Sequence, residues 1–395
     1  MPGQVRLKAK AERAARRYHP WLYSGAVDRV EGKPRPGDLV AVTDAQGDFI
    51  AWGHYSTSNI RVRLLDWNQE ARIDETWWSN RLAEAVKRRA HLARRPGLNA
   101  YRVVFAESDG LPGLIADYYH GWIVLQALTP GVDRLKSFLA ERLLTALPAE
   151  GVFERSDADS RGLEGLESKQ GPLLGSTPPD LIEIEEHGFR FLVNPAQGQK
   201  TGFYLDQRPN RRLLLDLAAD KDVLDCFSYT ASFSVYAYAA GAKSVVRIES
   251  SADASELGRA NLELNGYGRA PGQTLVADAF RVLREFRDRD RSFDLIVLDP
   301  PKLAPTRAQV SKAARAYKDI NLLALKLLRP DGLLVTCSCS SGVDADLFQK
   351  IVFGASLDAG RRVRIIGRLS QGSDHPALLS FPEAAYLKGL IGRVV

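Results

Sequence analysis

The sequence predicts an α/β protein that ends in a doubly wound, mostly parallel sheet, preceded by a small β-barrel and a small α+β region. Two patterns lead there. Over residues 191–395, short apolar runs alternate with helical stretches: Val223-Leu-Asp225, Ser244-Val-Val-Arg-Ile248, Thr274-Leu-Val-Ala277, Phe293-Asp-Leu-Ile-Val-Leu298 and Gly332-Leu-Leu-Val-Thr336. Helical segments such as Ala252–Leu264 and Ala308–Leu328 separate them. Runs of this kind are strands covered by helices on both faces. Residues 1–72, in contrast, read as short strands joined by turns.

The elements follow in chain order. A basic helix is predicted over Arg6–Arg17. Gly37-Asp38 is turn chemistry before Leu39-Val-Ala-Val42, and Asp44-Ala-Gln-Gly47 is the same before Phe49-Ile-Ala-Trp52. Ile60, Val62 and Leu64 alternate with Arg61 and Arg63, a strand with one apolar and one basic face. The second region, 73–190, opens with a helix over Asp74–Ala93 whose apolar positions include Trp77, Trp78, Leu82, Ala85 and Val86. Strands at Tyr101-Arg-Val-Val-Phe105 and Trp122-Ile-Val-Leu-Gln126 follow, then a helix near 133–146. The stretch 156–180, rich in Gly, Ser, Asp and Pro, reads as a surface loop or hairpin. The organisation is therefore 1–72, 73–190 and 191–395.

The chain has 395 residues with 45% hydrophobic and 26% charged, an ordinary globular composition. It contains no apolar run near the ~20 residues a spanning helix needs, so no membrane is expected. Three cysteines (Cys226, Cys337 and Cys339) make no disulfide framework, and a reducing cytoplasm fits. The net charge of +6 is unevenly spread. Arg6, Lys8, Lys10, Arg13, Arg16 and Arg17 face only Glu12 in the first 20 residues. Arg81, Lys87, Arg88, Arg89, Arg94, Arg95 and Arg102 form a second cluster. Such clusters suit a polyanion, because each neutralised phosphate releases counterions; solvated helix faces are the plainer reading.

Ligands of doubly wound sheets bind beyond the carboxyl ends of the strands. Here those ends carry Asp225, Glu249, Asp278, Asp299-Pro-Pro-Lys302 and Cys337-Ser-Cys-Ser340. An acid ending the second strand can accept both hydroxyls of a ribose. The aspartate ending the third can accept an adenine amine. The turn after the first strand, Cys226-Phe-Ser-Tyr-Thr-Ala231, lacks the G-x-G-x-x-G run that a dinucleotide pyrophosphate needs. S-adenosylmethionine has no phosphate and relaxes that requirement. In Asp299-Pro-Pro-Lys302 the prolines hold a carboxylate rigidly, as an acceptor for a flipped base. Cys339 is a candidate nucleophile: a thiolate adding to C6 of a pyrimidine makes C5 able to attack a methyl sulfonium. Cys337 is its rival, sharing a face with it on a regular strand.

The run Gly198-Gln-Lys-Thr-Gly-Phe-Tyr-Leu-Asp-Gln-Arg208, with Cys226-Phe-Ser-Tyr-Thr230, Asp299-Pro-Pro-Lys302, Tyr317-Lys-Asp-Ile-Asn321, Ser338-Cys-Ser340 and Tyr386-Leu-Lys-Gly389, resembles the ribosomal RNA large subunit methyltransferase I family. Those enzymes make 5-methylcytosine in 23S ribosomal RNA. The resemblance spans the chain: His19-Pro-Trp-Leu-Tyr-Ser-Gly25 is similar to that family's PUA domain, an RNA-binding module. Glu185-Glu-His-Gly-Phe-Arg190 and Asp109-Gly-Leu-Pro-Gly113 are similar to its middle domain. It implies a PUA-like barrel, a middle α+β domain and a Rossmann-like class I methyltransferase domain, with S-adenosylmethionine as cofactor and no metal.

The resemblance further implies Cys339 as nucleophile, with Asp299 against the base and Pro300, Pro301, Lys302 and Arg208 around the substrate. Asp225, Glu249 and Asp278 fall at cofactor positions, with Phe227, Ser228 and Tyr229 lining the turn. Gln199, Lys200, Thr201, Tyr204 and Asp206 look like a loop closing over cofactor and base. Ala231 stands where glycine is expected, and Glu249 where aspartate is commoner. Glu383 is a candidate proton acceptor. Ribosomal RNA is the expected partner, and a homodimer is compatible with the sequence. Three other readings stay open: methylation of an exocyclic amine of guanine or adenine, a non-catalytic RNA-binding assembly factor, and the same chemistry on another substrate such as transfer RNA or uracil.

Overall fold

The computed structural model describes residues 3–303 and 309–395, which divide into two compact units. The first comprises Met1–Glu185, Val193–Leu205 and Asp374–Ala384; the second comprises Glu186–Leu192, Asp206–Ser373 and Ala385–Val395. Among the described residues no helix is long and apolar enough to cross a membrane.

Two sheets build the first unit. One has six strands, in the spatial order Trp21–Tyr23, Ile60–Asp66, Phe49–Tyr55, Leu39–Thr43, Gly3–Leu7 and Val27–Glu31. Alternation accounts for its core: Val5, Leu7, Val40, Val42, Val62 and Leu64 point inward and are buried. The basic helix expected over Arg6–Arg17 is not there. Val5 and Leu7 alternate with Arg6 in a strand, and Lys10 and Tyr18 adopt φ of 68° and 65°, which leaves only single 3-10 turns between them.

The other sheet runs Lys169–Gly175, Gly151–Ser156, Trp122–Ala127, Leu114–Tyr119, Ala100–Phe105. The helices Glu75–Ala93 and Pro130–Ala146 contribute Trp78, Leu82, Ala85, Leu139 and Leu143 to its core. Asp74 caps the first of these helices, accepting from Trp77 N at 3.0 Å. Within the stretch expected as loop or hairpin, Lys169–Gly175 is an edge strand that tolerates Pro172. The second basic cluster is partly internal. Arg89 is buried in a bidentate pair with Asp109 (2.6 and 2.8 Å), and Arg102 in another with Asp117 (2.8 and 2.8 Å). Lys87, Arg88, Arg94 and Arg95 stay exposed.

The strands Ile182–Glu186 and Phe189–Val193 form a hairpin. Its two-residue turn places His187 at φ 54° and Gly188 at φ 85°, the paired left-handed conformation that matches the twist of a tight hairpin.

A seven-stranded sheet is the frame of the second unit. Its order is Gly272–Val276, Ser244–Glu249, Asp222–Cys226, Phe293–Leu298, Leu328–Ser338, Lys388–Val394, Val363–Ser370. The first five are parallel, and Lys388–Val394 runs against both of its neighbours. The strand order reverses between Asp222–Cys226 and Phe293–Leu298, the switch point where a crevice opens at the carboxyl ends. The helices Ala279–Asp288, Val310–Leu327 and Ala345–Asp358 bury Leu283, Phe286, Tyr317, Ile320 and Phe348 against the sheet. Ala308, where the sequence begins one of these helices, lies outside the described residues.

Within this unit lies a buried ion pair that the sequence did not announce. Arg211 donates to both Glu186 oxygens at 2.7 Å, and the Tyr236 hydroxyl donates to Oε1 at 3.0 Å. Burial alone would push the Glu186 carboxyl up; Arg211, through its charge and hydrogen bonds and helped by Arg208 and His187, outweighs it and holds the carboxyl below its ordinary range. Removing one partner strands the other charge. Arg211→Met is therefore expected to cost about 3–5 kcal/mol in urea unfolding, with part regained in the Arg211→Met/Glu186→Leu double variant. A loss under about 1 kcal/mol contradicts this.

Candidate active site

The turn after Asp222–Cys226 is built under backbone strain. Phe227, Tyr229 and Ala231 adopt φ of 60°, 46° and 60°, a left-handed conformation that costs side-chain-bearing residues energy. Ala231 takes that conformation where glycine would be easiest, directly before the helix Ser232–Ala239. The turn is held from outside. Asn261 Nδ2 donates to Thr230 O at 3.0 Å, and Glu249 Oε2 accepts from Tyr229 N at 2.9 Å.

Asp225 is buried at the strand end. Its Oδ2 accepts from Ser234 Oγ at 2.6 Å, while Oδ1 has no hydrogen-bond partner among the described residues. Burial raises its carboxyl to about 6, against a smaller opposing effect of Ser234. Glu249 Oε1 accepts from Ser251 N at 2.9 Å, so both of its oxygens already brace backbone. Asp278 is exposed and caps the helix Ala279–Asp288 through Arg281 N at 2.8 Å.

Asp299 follows the strand Phe293–Leu298 directly. Gln207 Nε2 donates to its Oδ1 at 2.8 Å; Gln207 Oε1 in turn accepts from Asn210 Nδ2 at 2.6 Å, and Asn210 donates to Ser370 O at 3.0 Å. Gln207 and Asn210 are both buried, so the carboxylate is fixed by a chain of amides. Sequence reasoning gave neither a role, although Gln207 stands inside the Gly198–Arg208 run, because the partners of these amides are distant in sequence. Pro300 is buried, and Pro301 and Lys302 are exposed. Arg208 is buried and exerts its charge on Glu186.

The two cysteines separate at the end of Leu328–Ser338. Cys337 is fully buried; it pairs across the sheet with Gly389, where an added Cβ would stand 3.1 Å from its sulfur. Burial pushes its thiol well up, reinforced by the Asp299 charge. Cys339 lies one residue beyond the strand and is partly exposed. The strand ends before it, so the shared face expected for a regular strand does not extend to it. Its neighbours are tied down: the Tyr317 hydroxyl and Ser340 Oγ are 3.0 Å apart, Ser340 N donates to Ser338 Oγ at 3.3 Å, and Lys388 Nζ donates to Ser340 O at 2.6 Å.

The remaining predicted residues divide between the units. Gln199, Lys200, Thr201 and Tyr204 belong to the first, Asp206 to the second. Thr201 is buried, donating to Asp117 at 2.6 Å and bonded to the Tyr119 hydroxyl at 2.9 Å. The Tyr204 hydroxyl meets Gln199, and the Lys200 ammonium lies 4.8 Å from the Tyr204 ring centroid. Asp206 accepts from the Tyr386 hydroxyl. Glu383 belongs to the first unit, its Oε1 3.3 Å from His19 Nε2, whereas Cys339 belongs to the second.

Comparison with known proteins bears on this site. The PUA-like domain profile matches residues 5–67, and the S-adenosylmethionine-dependent methyltransferase profile matches residues 167–392. A protein of Klebsiella pneumoniae (strain 342) named Ribosomal RNA large subunit methyltransferase I is 43% identical over 97% of this chain and 96% of that protein. One of the same name from Escherichia coli (strain K12) is 43% identical over 97% of each chain. The chain belongs to the ribosomal RNA large subunit methyltransferase I family. A methyltransferase solved in complex with SAH matches with a TM-score of 0.87 at 22% identity, covering 99% of this chain and 100% of that one. A methyltransferase from Streptococcus mutans matches at 0.86, with 22% identity and the same coverage. At that identity the likeness is one of fold.

As an S-adenosylmethionine-dependent methyltransferase of this family, the chain needs groups for a cation-bearing nucleoside, and those present fit. A buried carboxylate oxygen without a partner is an acceptor awaiting a donor, and Asp225 Oδ1 is one. Thr230 Oγ1, buried in the same turn and without a hydrogen-bond partner among the described residues, is another candidate. The carboxyl of Asp225 takes up its proton at higher pH folded than unfolded. Its contribution to stability is therefore full below about 4 and is lost as pH rises through about 6. At pH 7 without cofactor, Asp225→Asn is expected to raise stability by about 1–3 kcal/mol, a gain that disappears below about pH 4. The same substitution is expected to weaken S-adenosylmethionine binding at least ~10-fold in calorimetry. A variant less stable than wild type at pH 7 contradicts this account.

Proposed function

We propose that this protein methylates C5 of a cytosine in 23S ribosomal RNA, with Cys339 as a covalent nucleophile. The names of its 43% identical relatives support the ribosomal RNA substrate. The observation that carries the mechanism is the contrast between the two cysteines at one strand end: Cys339 partly exposed, Cys337 sealed in the sheet. A nucleophile must reach its substrate as a thiolate, which burial of Cys337 disfavours.

In this reading Asp299, oriented by Gln207, accepts from the exocyclic amine of the flipped base and fixes the ring. The Cys339 thiolate adds to C6, and the electron pair gained by the ring makes C5 nucleophilic. Bound S-adenosylmethionine supplies an electrophilic methyl sulfonium. Once C5 carries the methyl group, its proton leaves to solvent and the Cys339 sulfur departs from C6, restoring both ring and thiolate. Asp225 and Glu249 hold the nucleoside end, and the PUA-like domain grips RNA outside the target base. The protein acts in the cytoplasm.

An exocyclic-amine reaction needs no sulfur nucleophile, so the cysteines discriminate. In a strain lacking the protein, bisulfite sequencing of ribosomal RNA should show one 5-methylcytosine missing from the large-subunit RNA. The wild-type gene and Cys337→Ala should restore it. Cys339→Ala should not, its rate falling below about a thousandth. Full restoration by Cys339→Ala overturns the mechanism, and an unchanged pattern in the deleted strain overturns the substrate.

A further inference from the structure

Lys388 is a buried ammonium at the end of the strand that runs against Leu328–Ser338. Its register partner is Ser338, and its Nζ donates to Ser340 O at 2.6 Å and to Tyr386 O at 2.7 Å. It thus clamps the backbone on the far side of Cys339. An ammonium has three protons to donate, and these bonds use two. Among the described residues no carboxylate stands within ion-pair distance of it. The charges that act on it are Cys339, Asp344 and Lys302, of which Cys339 is the strongest. A buried cation requires a counter-charge, and the two that act on this one are Cys339 and, more weakly, Asp344.

Taking Cys339 as the nucleophile proposed above, we infer that Lys388 is its positioning residue: the ammonium fixes the Ser338–Ser340 turn and stabilises the thiolate that attacks C6. The proton of the Cys339 thiol goes to solvent, and Lys388 stays protonated through addition. When sulfur leaves C6, the re-formed thiolate finds the same cation. Burial lowers the lysine to about 8, partly opposed by Cys339, so the group is largely charged at neutral pH and titrates just above it. Lys388 lies in the Tyr386-Leu-Lys-Gly389 motif, but its place beside Cys339 comes from the antiparallel register, which the motif alone does not show.

The test measures alkylation of Cys339 by iodoacetamide as a function of pH, read by peptide mass spectrometry on the full chain without RNA or cofactor. Lys388→Met should raise the midpoint by about one pH unit or more, and Lys388→Arg by less than half of that. In turnover, Lys388→Met should lower kcat at least ~10-fold with KM values for RNA and S-adenosylmethionine within about twofold. A folded Lys388→Met variant with an unmoved midpoint overturns the inference. Should that variant not fold, Lys388→Arg decides. Its guanidinium keeps its charge, so the decline of kcat above about pH 8 should shift upward; an unshifted decline overturns the inference. Full methylation by Cys339→Ala would remove the nucleophile but leave the alkylation profile standing, so the two readings fail separately.

Discussion

The pairing of Leu328–Ser338 with the antiparallel strand Lys388–Val394 is the constraint on which the site depends. Five parallel strands bring acids to one edge, but the sixth, reversed strand decides what happens to the two cysteines. It seals Cys337 against Gly389, ends the ladder at Ser338 and releases Cys339 into the turn beyond. The same register sets Lys388 under that turn. A one-residue slip of Lys388–Val394 would exchange the faces of all its side chains and take the Lys388 ammonium away from Ser340. Gly389 fixes the register sterically, since a Cβ there would meet Thr336 O at 2.5 Å.

Around the other half of the sheet the structure trades stability for readiness. Three non-glycine residues in left-handed conformation follow one strand, and a buried carboxylate beside them keeps an oxygen unbonded. A fold selected for stability alone would relax both features. The cost is met by rigid surroundings, with Asn261 and Glu249 bracing the turn and the Glu186–Arg211–Tyr236 cluster inside the same unit. Asp299 is likewise held in place, oriented through Gln207 and Asn210.

Most of the framework was legible because periodicity reports burial. The apolar runs between 223 and 336 became the parallel strands, and the acids ending them fell at the sheet edge. The failures have physical causes too. Basic residues from Arg6 to Arg17 look helical by charge alone, yet Val5 and Leu7 are strand-spaced and two left-handed residues break the remainder. Arg89 and Arg102 counted as surface charge because their partners Asp109 and Asp117 are distant in sequence. Glu383 follows an aromatic and a proline, a pattern that gives no hint of its pairing with His19. The partners of Gln207, Asn210 and Lys388 are fixed by tertiary contacts that residue spacing does not show.

The proposed mechanism requires a covalent bond between one sulfur and one carbon. RNA carrying 5-fluorocytidine at the target tests it, because fluorine at C5 leaves no proton to remove and the adduct persists. Incubation with the full chain and S-adenosylmethionine, followed by protease digestion and mass spectrometry, should yield an RNA-linked, methylated adduct on the peptide bearing Cys339. Normal methylation of cytidine RNA with no adduct from the fluorinated RNA, or an adduct on Cys337, would contradict it.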